Sequence, residues 1–246
     1  LVGSEMCIRD SNKLDLSVDF GWFYFLTKPL FYALNFLSTK FENFGIGIII
    51  LTIFIRIILF PLANKSFKSM NSMRILTPEI QRVRERYKDD RQKMNQEMFA
   101  LYREKKINPA AGCLPILIQI PIFFALYKVL FVSIEMRHAP FFGWIKDLSA
   151  PDPTSLFNLF GLIPWDPPLF LTIGIWPLLM GLTMYLQQKI NPPPPDPIQA
   201  KIFMMLPFIF TFLLATFPSG MVVYWTVNNV LSIGQQYILL KKQKKE

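Results

Sequence analysis

Apolar residues gather into five long blocks along this chain, and the first carries a charge in its middle. Residues 45–63, GIGIIILTIFIRIILFPLA, are apolar apart from Thr52 and Arg56. At about 1.5 Å rise per residue, such a helix crosses a hydrocarbon core of about 30 Å. Four more blocks follow at 112–132, 169–187, 202–217 and 219–240, the 202–217 block being short for a full bilayer. Pro115 and Pro121 lie inside the second block, where neighbouring helices or water can satisfy the carbonyls they free. Ahead of the blocks, residues 17–41 are rich in aromatics but interrupted by Lys28, Pro29, Asn35 and Lys40. That stretch either spans a membrane or lies in its interface, with Trp22, Tyr24 and Tyr32 at headgroup level. Lys28–Pro29 in mid-run favours an interfacial helix, extending over 17–44. Residues 1–16 lack the basic and short apolar regions of a signal peptide and read as an unstructured or foreign tail.

The pattern changes after Ala63. Residues 64–107 hold twelve basic residues against six acidic ones, arranged at helical spacing. Ile80, Val83 and Tyr87 form one apolar stripe, and Met94, Met98 and Leu101 form another. Asp89–Asp90 between them is a turn and N-cap signal. The expectation is an antiparallel helical hairpin in water. It either sets topology as a solvated loop or serves as a docking arm, with Arg82, Arg84, Arg86, Lys88, Arg91 and Lys93 as its contact residues. Between 187 and 198, QKINPPPPDP is a stiff, extended connector.

Composition agrees with a polytopic helical membrane protein. The chain of 246 residues is 52% hydrophobic, with 24 Phe and a formal net charge of +9, and its mean hydropathy is +0.33. The charge needs no nucleic acid to explain it. With the hairpin inside, the basic segments 64–107 and 241–246 share one face with Lys189 and Lys201. The 133–168 loop, with Glu135, Asp147, Asp152 and Asp166, then falls on the other. This is the positive-inside arrangement, with hairpin and C-terminus cytoplasmic, and sequence-specific nucleic-acid binding is not expected. Cys7 and Cys113 make no disulfide framework or metal pair, and a lone histidine, His138, excludes clustered-histidine metal sites. No cofactor, metal or catalytic residue is expected, and no P-loop is present.

Arg56 is the residue that needs an explanation. Placing a guanidinium at the middle of a span costs about 2.5–3.5 kcal/mol on insertion scales, so it faces protein or water rather than lipid. None of the seventeen acidic residues lies in the five blocks, so no buried carboxylate waits to neutralise it. That also disfavours proton- or cation-coupled transport, which places Asp, Glu or His along its path. What the blocks do offer is neutral polarity. Thr52 lies one turn before Arg56, and Gln119 lies in the second block. Trp225, Asn229, Ser232 and Gln236 fall close to one face of the last block, with Asn228 and Gln235 beside them. Each alone is more often interhelical glue than function. Together with Arg56 they suggest a hydrated groove with one net positive charge.

Three segments carry a resemblance to a known family: LTIFIRIILFPL around Arg56, NPAAGCLPILIQIPIFFALY from Asn108 to Tyr127, and FPSGMVVYWTVNNVLSIGQQ from Phe217 to Gln236. With the hairpin text SMRILTPEIQRVRERYKDDRQKMNQEMFALYREKKINP, they closely resemble the C-terminal membrane domain of the YidC insertases, from about residue 17 to the end. The resemblance implies an all-α membrane protein with five transmembrane helices around a hydrophilic groove, a cytoplasmic hairpin and an outer interfacial helix. The membrane core is then residues 45–240, with 241–246 as a basic tail. It implies that Arg56 is the groove arginine and that Thr52, Gln119, Tyr224 and Trp225 match groove or substrate-contact positions. The implied activity is insertion and folding of nascent membrane proteins in the bacterial inner membrane, without nucleotide hydrolysis. The implied partners are those substrates and lipid, with the ribosome, the signal recognition pathway and the Sec translocon behind them. Gram-negative members begin with a further transmembrane helix and a large periplasmic domain. This chain shows neither, so it reads as a fragment. A small-solute transporter or channel built on the same cavity is the alternative.

Overall fold

The computed structural model describes residues 24–88, 90–107, 114–132, 136–159, 163–165, 168, 172–191 and 197–243. Residues 1–16, Asp89, Cys113, Glu135, Asp166, the proline connector at 192–196 and the last residues of the basic tail lie outside them. Seven helices appear among the described residues: α1 Tyr24–Phe41, α2 Phe44–Arg86, α3 Arg91–Glu104, α4 Leu114–Val132, α5 Ile175–Ile190, α6 Pro197–Leu214 and α7 Ser219–Gln243.

Helix α1 runs through Pro29 without breaking. Its buried residues Thr27, Leu30, Leu34 and Ser38 follow the spacing of three and four that makes one stripe, which packs on α2 and α4. Phe25, Tyr32 and Phe36 stay exposed on the other side. Asn43 starts the next helix by accepting the Ile46 amide at 3.1 Å.

The change from apolar to basic sequence at residue 64 falls inside a helix. Helix α2 is continuous for 43 residues and carries the apolar block and the first arm of the basic hairpin as one rod. Pro61 and Pro78 each remove a backbone bond, yet neither ends the helix. The turn comes after Arg86, where Asp90 Oδ1 accepts the Gln92 and Lys93 amides at 3.1 and 3.0 Å and starts α3. Helix α3 folds back on α2 over a small core of Leu76, Ile80 and Tyr102, flanked by Met73, Met98, Leu101 and Ile107. The contact lies nearer Leu76 than the expected Ile80–Val83–Tyr87 stripe, leaving Val83 and Tyr87 half-buried.

Helices α2 and α4–α7 fall where the five apolar blocks lie. One of them, α2, is long and apolar enough by length and composition to cross a membrane, and α4 and α6 contain shorter apolar stretches. Among the described residues of the third block, the helix runs from Ile175. Helix α7 lies centrally: it packs on α2 and α4 on one side and α5 on the other, while α6 packs on α5. Gly181 makes that last approach possible, since a Cβ there would meet Thr211 Oγ1 of α6 at 2.0 Å. Large apolar side chains face outward from α2 and α6, among them Phe54, Ile57, Ile58, Met204, Phe208 and Phe212. Exposed apolar surface of this extent marks contact with a membrane or a partner.

The acidic loop is a folded cap rather than a tether. Met136, Ile145 and Leu148 are buried in the main core with residues of α1, α2, α4 and α7. The Ala150 carbonyl accepts from the Ser219 amide at 2.8 Å, and the Leu148 carbonyl from the Gly220 amide at 2.9 Å. These satisfy amides that the first turn of α7 cannot pair internally.

Candidate functional site

The polar residues of the bundle collect along α7, whose polar face is divided between two neighbours. Side chains 228, 232 and 235 recur at four and three residues and so share one side. They meet α2 at Arg56 and, two turns on, at Asn64. Arg56 Nε donates to Asn228 Oδ1 at 2.8 Å, and Nη2 donates to Ser232 Oγ at 2.6 Å and to the Asn228 carbonyl at 3.3 Å. Gln235 Nε2 donates to Asn64 Oδ1 at 2.9 Å and to the Phe60 carbonyl at 3.4 Å. On the other side, Asn229 Nδ2 donates to Thr183 Oγ1 of α5 at 3.3 Å, and Gln236 Nε2 donates to Asn191 Oδ1 at 3.0 Å.

Residues expected close to one face, Trp225, Asn229, Ser232 and Gln236, thus have partners on different helices. Ser232 turns with Asn228 toward Arg56, whereas Asn229 and Gln236 serve the α5 contact. With about 3.6 residues per turn, positions 229 and 232 sit some 60° apart, enough for different helices to claim them.

The remaining expected residues divide in the same way. Thr52 is buried, and its Oγ1 donates to the Ile48 carbonyl of its own helix at 2.6 Å, so it lies in the core one turn from Arg56 without bonding it. Gln119 Nε2 of α4 donates to the hydroxyl of Tyr224, which is buried within electrostatic reach of the Arg56 guanidinium. Trp225 joins α4 and α6 through its ring: Phe123 stands edge-on at 4.9 Å between centroids, and Phe210 lies stacked at 6.1 Å.

Arg56 is held by neutral groups. The guanidinium is half-buried, all three of its acceptors are neutral, and no carboxylate among the described residues pairs with it. Beside it, Ile53, Phe54, Ile57 and Phe60 are exposed. The arrangement is a positively charged polar seam at the edge of an apolar surface, able to attract an anionic group but holding no acid–base pair.

Of the hairpin residues, Arg82, Arg86, Lys88, Arg91 and Lys93 are exposed, while Arg84 is half-buried. Burial pushes the Tyr102 phenol above its ordinary pKa, with the nearby Arg84 guanidinium pulling it back in part.

Sequence reasoning missed four contributors. Lys128 is a second cation within a helical block, half-buried near the loop end of α4. Asn64 and Thr183 are partners whose roles depend on which helices touch, a fact no spacing encodes. Asp152 was counted only as loop charge, yet it is 5% exposed and central to the cap. Its Oδ1 accepts from Trp144 Nε1 at 3.1 Å and from the Thr154 amide and hydroxyl at 3.0 and 2.7 Å, while Oδ2 takes the Trp176 amide at 3.0 Å.

Fold and seam together define an all-helical membrane bundle with a lone, neutrally held arginine. The family model for the 60Kd inner membrane protein matches residues 36–246, and the chain belongs to that family. A second model, the YidC periplasmic domain, matches residues 4–33 and so overlaps the stretch read above as a tail. A "Membrane protein insertase YidC" of Pelagibacter ubique is 61% identical over 231 residues, covering 94% of this chain and 41% of that protein. The protein of the same name from Brucella suis is 58% identical over 232 residues, covering 94% and 38%. A solved structure, described as an active YidC insertase crystal structure with the first transmembrane domain resolved, superposes with a TM-score of 0.65 at 28% identity. It covers 88% of this chain and 47% of that one. The chain thus spans about two fifths of the length of these curated relatives.

Proposed function

We propose that this chain forms the membrane core of an insertase, which receives nascent membrane proteins and passes their hydrophobic helices to lipid. The observation that carries the reading is Arg56, a half-buried guanidinium bonded only to neutral oxygens at the edge of an exposed apolar surface. Relatives bearing the insertase name support the same reading.

The mechanism follows from electrostatics. A substrate flank with acidic residues parks beside Arg56, where the positive charge offsets part of its desolvation. The flank then crosses a shorter dry layer while its hydrophobic helix partitions into lipid. The groove opens to the cytoplasm and to lipid, and Thr52, Gln119, Tyr224, Trp225, Asn228, Asn229 and Ser232 line or support it. No nucleotide is hydrolysed. The α2–α3 hairpin, through Arg82, Arg84, Arg86, Lys88, Arg91 and Lys93, meets the delivering machinery: the ribosome, the signal recognition pathway and the Sec translocon. Hairpin and C-terminus are cytoplasmic in the bacterial inner membrane, as positive-inside placement requires.

The test is insertion by the purified chain in proteoliposomes of one short single-span substrate with an acidic translocated flank. Wild type is expected to insert it and Arg56→Ala to do so poorly. Equal activity of the two would remove the charge from the mechanism. Solute flux through the same vesicles without substrate would favour a channel or transporter instead.

A further inference from the structure

We infer that Asn228 and Ser232 are positioning residues whose lack of charge sets the preference of the site for anionic flanks; the inference rests on the insertase reading above. The geometry at Arg56 is one-sided. The edge carrying Nε and Nη2 is taken by Asn228 Oδ1, the Asn228 carbonyl and Ser232 Oγ at 2.8, 3.3 and 2.6 Å. Nη1 makes no hydrogen bond to a described residue, so the edge that carries it is left for a ligand.

Both clamping side chains are themselves fixed. Ser232 donates its own hydrogen to the Asn228 carbonyl at 2.8 Å, so only its lone pairs remain to face Nη2. Asn228 and Ser232 are 7% and 1% exposed, so neither swings out into solvent. The four-residue spacing on one helix puts both acceptors on the side that faces Arg56.

The chemical class of these acceptors decides what the arginine can attract. A carboxylate in the clamp would bind the same edge more strongly and neutralise it, as buried ion pairs do. An amide and a hydroxyl orient the guanidinium yet leave its whole charge for the incoming group. Asn228 is therefore specificity-determining: Asp at this position would have the same shape and the opposite effect.

The experiment uses two single-span substrates that differ only in carrying Asp or Asn in the translocated flank, inserted by the full chain in proteoliposomes. The readout is the ratio of acidic to neutral insertion. Asn228→Asp is expected to lower that ratio on the order of tenfold, toward the Arg56→Ala value. Ser232→Ala is expected to lower the ratio in part, and Ser232→Thr, which keeps the hydroxyl, to restore it. If Asn228→Asp does not fold, the Ser232 pair decides alone. A loss on both substrates with the ratio unchanged means that the two residues only pack, and the inference is overturned. A wild-type ratio that Arg56→Ala does not alter removes the charge from the mechanism and overturns the inference with it, whereas a wild-type chain that inserts neither substrate means that the underlying insertase reading has failed.

Discussion

Asp152 caps a helix that begins more than twenty residues further along the chain: its Oδ2 accepts the Trp176 amide of α5 at 3.0 Å. Gly174, the residue before α5, contributes no side-chain cap of its own, and a Cβ there would meet Asp152 Cγ at 2.4 Å. The absence of a side chain at 174 thus makes room for a carboxylate from the loop, which also ties down Trp144 and Thr154. Asp152→Ala strands several donors at once and is expected to cost about 2 kcal/mol or more, as a lost cap with buried unpaired groups does. Asp152→Asn, which keeps one oxygen, is expected to lose less. Thermal unfolding in detergent checks both, and an unchanged midpoint for the alanine variant would count against the capping role.

The second carboxylate of the cap titrates. Burial alone would push the Asp147 carboxyl up, but hydrogen bonds from the Ser149 hydroxyl and amide, and His138 beside it, outweigh that and hold it below the ordinary value of 3.8. A group whose folded pKa is depressed contributes stability above its unfolded pKa and loses it as pH falls through the folded one. Stability is therefore expected to drop with acid below about pH 4, and Asp147→Asn to flatten that limb. The effect is small, because His138 is largely exposed and its contact with Asp147 is screened. A pH series of unfolding midpoints for the two proteins is the check.

Gly181 and Thr211 form a close pair between α5 and α6. Thr211 Oγ1 is tied to the Pro207 carbonyl at 2.7 Å and does not swing away from a new methyl group. Gly181→Ala is expected to cost about 1–3 kcal/mol through overpacking. Thr211→Ala in the same chain removes the clashing oxygen and should recover much of that loss. A double-mutant cycle that is simply additive would show that the two helices do not meet there.

The hairpin is expected to unfold separately from the bundle. Ile80 is 1% exposed in a small core of its own, so Ile80→Ala should cost about 2–5 kcal/mol there. Hydrogen exchange should accelerate over 91–104 and stay unchanged over 119–131. Deleting 78–106 is likewise expected to leave the membrane helices folded while impairing substrate delivery.

Arg56→Lys separates charge from geometry. Lysine keeps the positive charge but presents one compact ammonium, which cannot bridge Asn228 and Ser232 as the planar guanidinium does. Insertion of acidic-flank substrates should remain within a few-fold of wild type, whereas Arg56→Ala should lose on the order of tenfold, as removal of a charged hydrogen-bonding group does. Equal losses for Lys and Ala would make the bonding geometry, rather than the charge, the essential property.

Helix positions were legible from the chain because apolar runs and caps are local signals. Asp90 is the clearest case, since an N-cap acts within three residues of itself. The continuity of α2 was not legible, because a switch from apolar to basic surface at residue 64 changes the solvent around a helix without changing its backbone. The central place of α7 was hidden too. Its polar residues read as one face, and only contact with two neighbours showed why they form two.

By itself the sequence determined that this is an all-helical membrane chain, that Arg56 stands in an apolar block, and that no acidic residue shares those blocks to neutralise it. These are matters of composition and of period along one dimension. The tertiary structure decided the rest: Asn228 and Ser232 rather than Asn229 hold Arg56, Thr52 turns back to its own helix, and Asp152 belongs to the cap of α5. The first and the last depend on which side chains meet across some 170 and 24 residues of chain. The physical reason is that a buried polar group takes whichever partner the packing brings within about 3 Å. That choice is made in three dimensions, after the helices have formed.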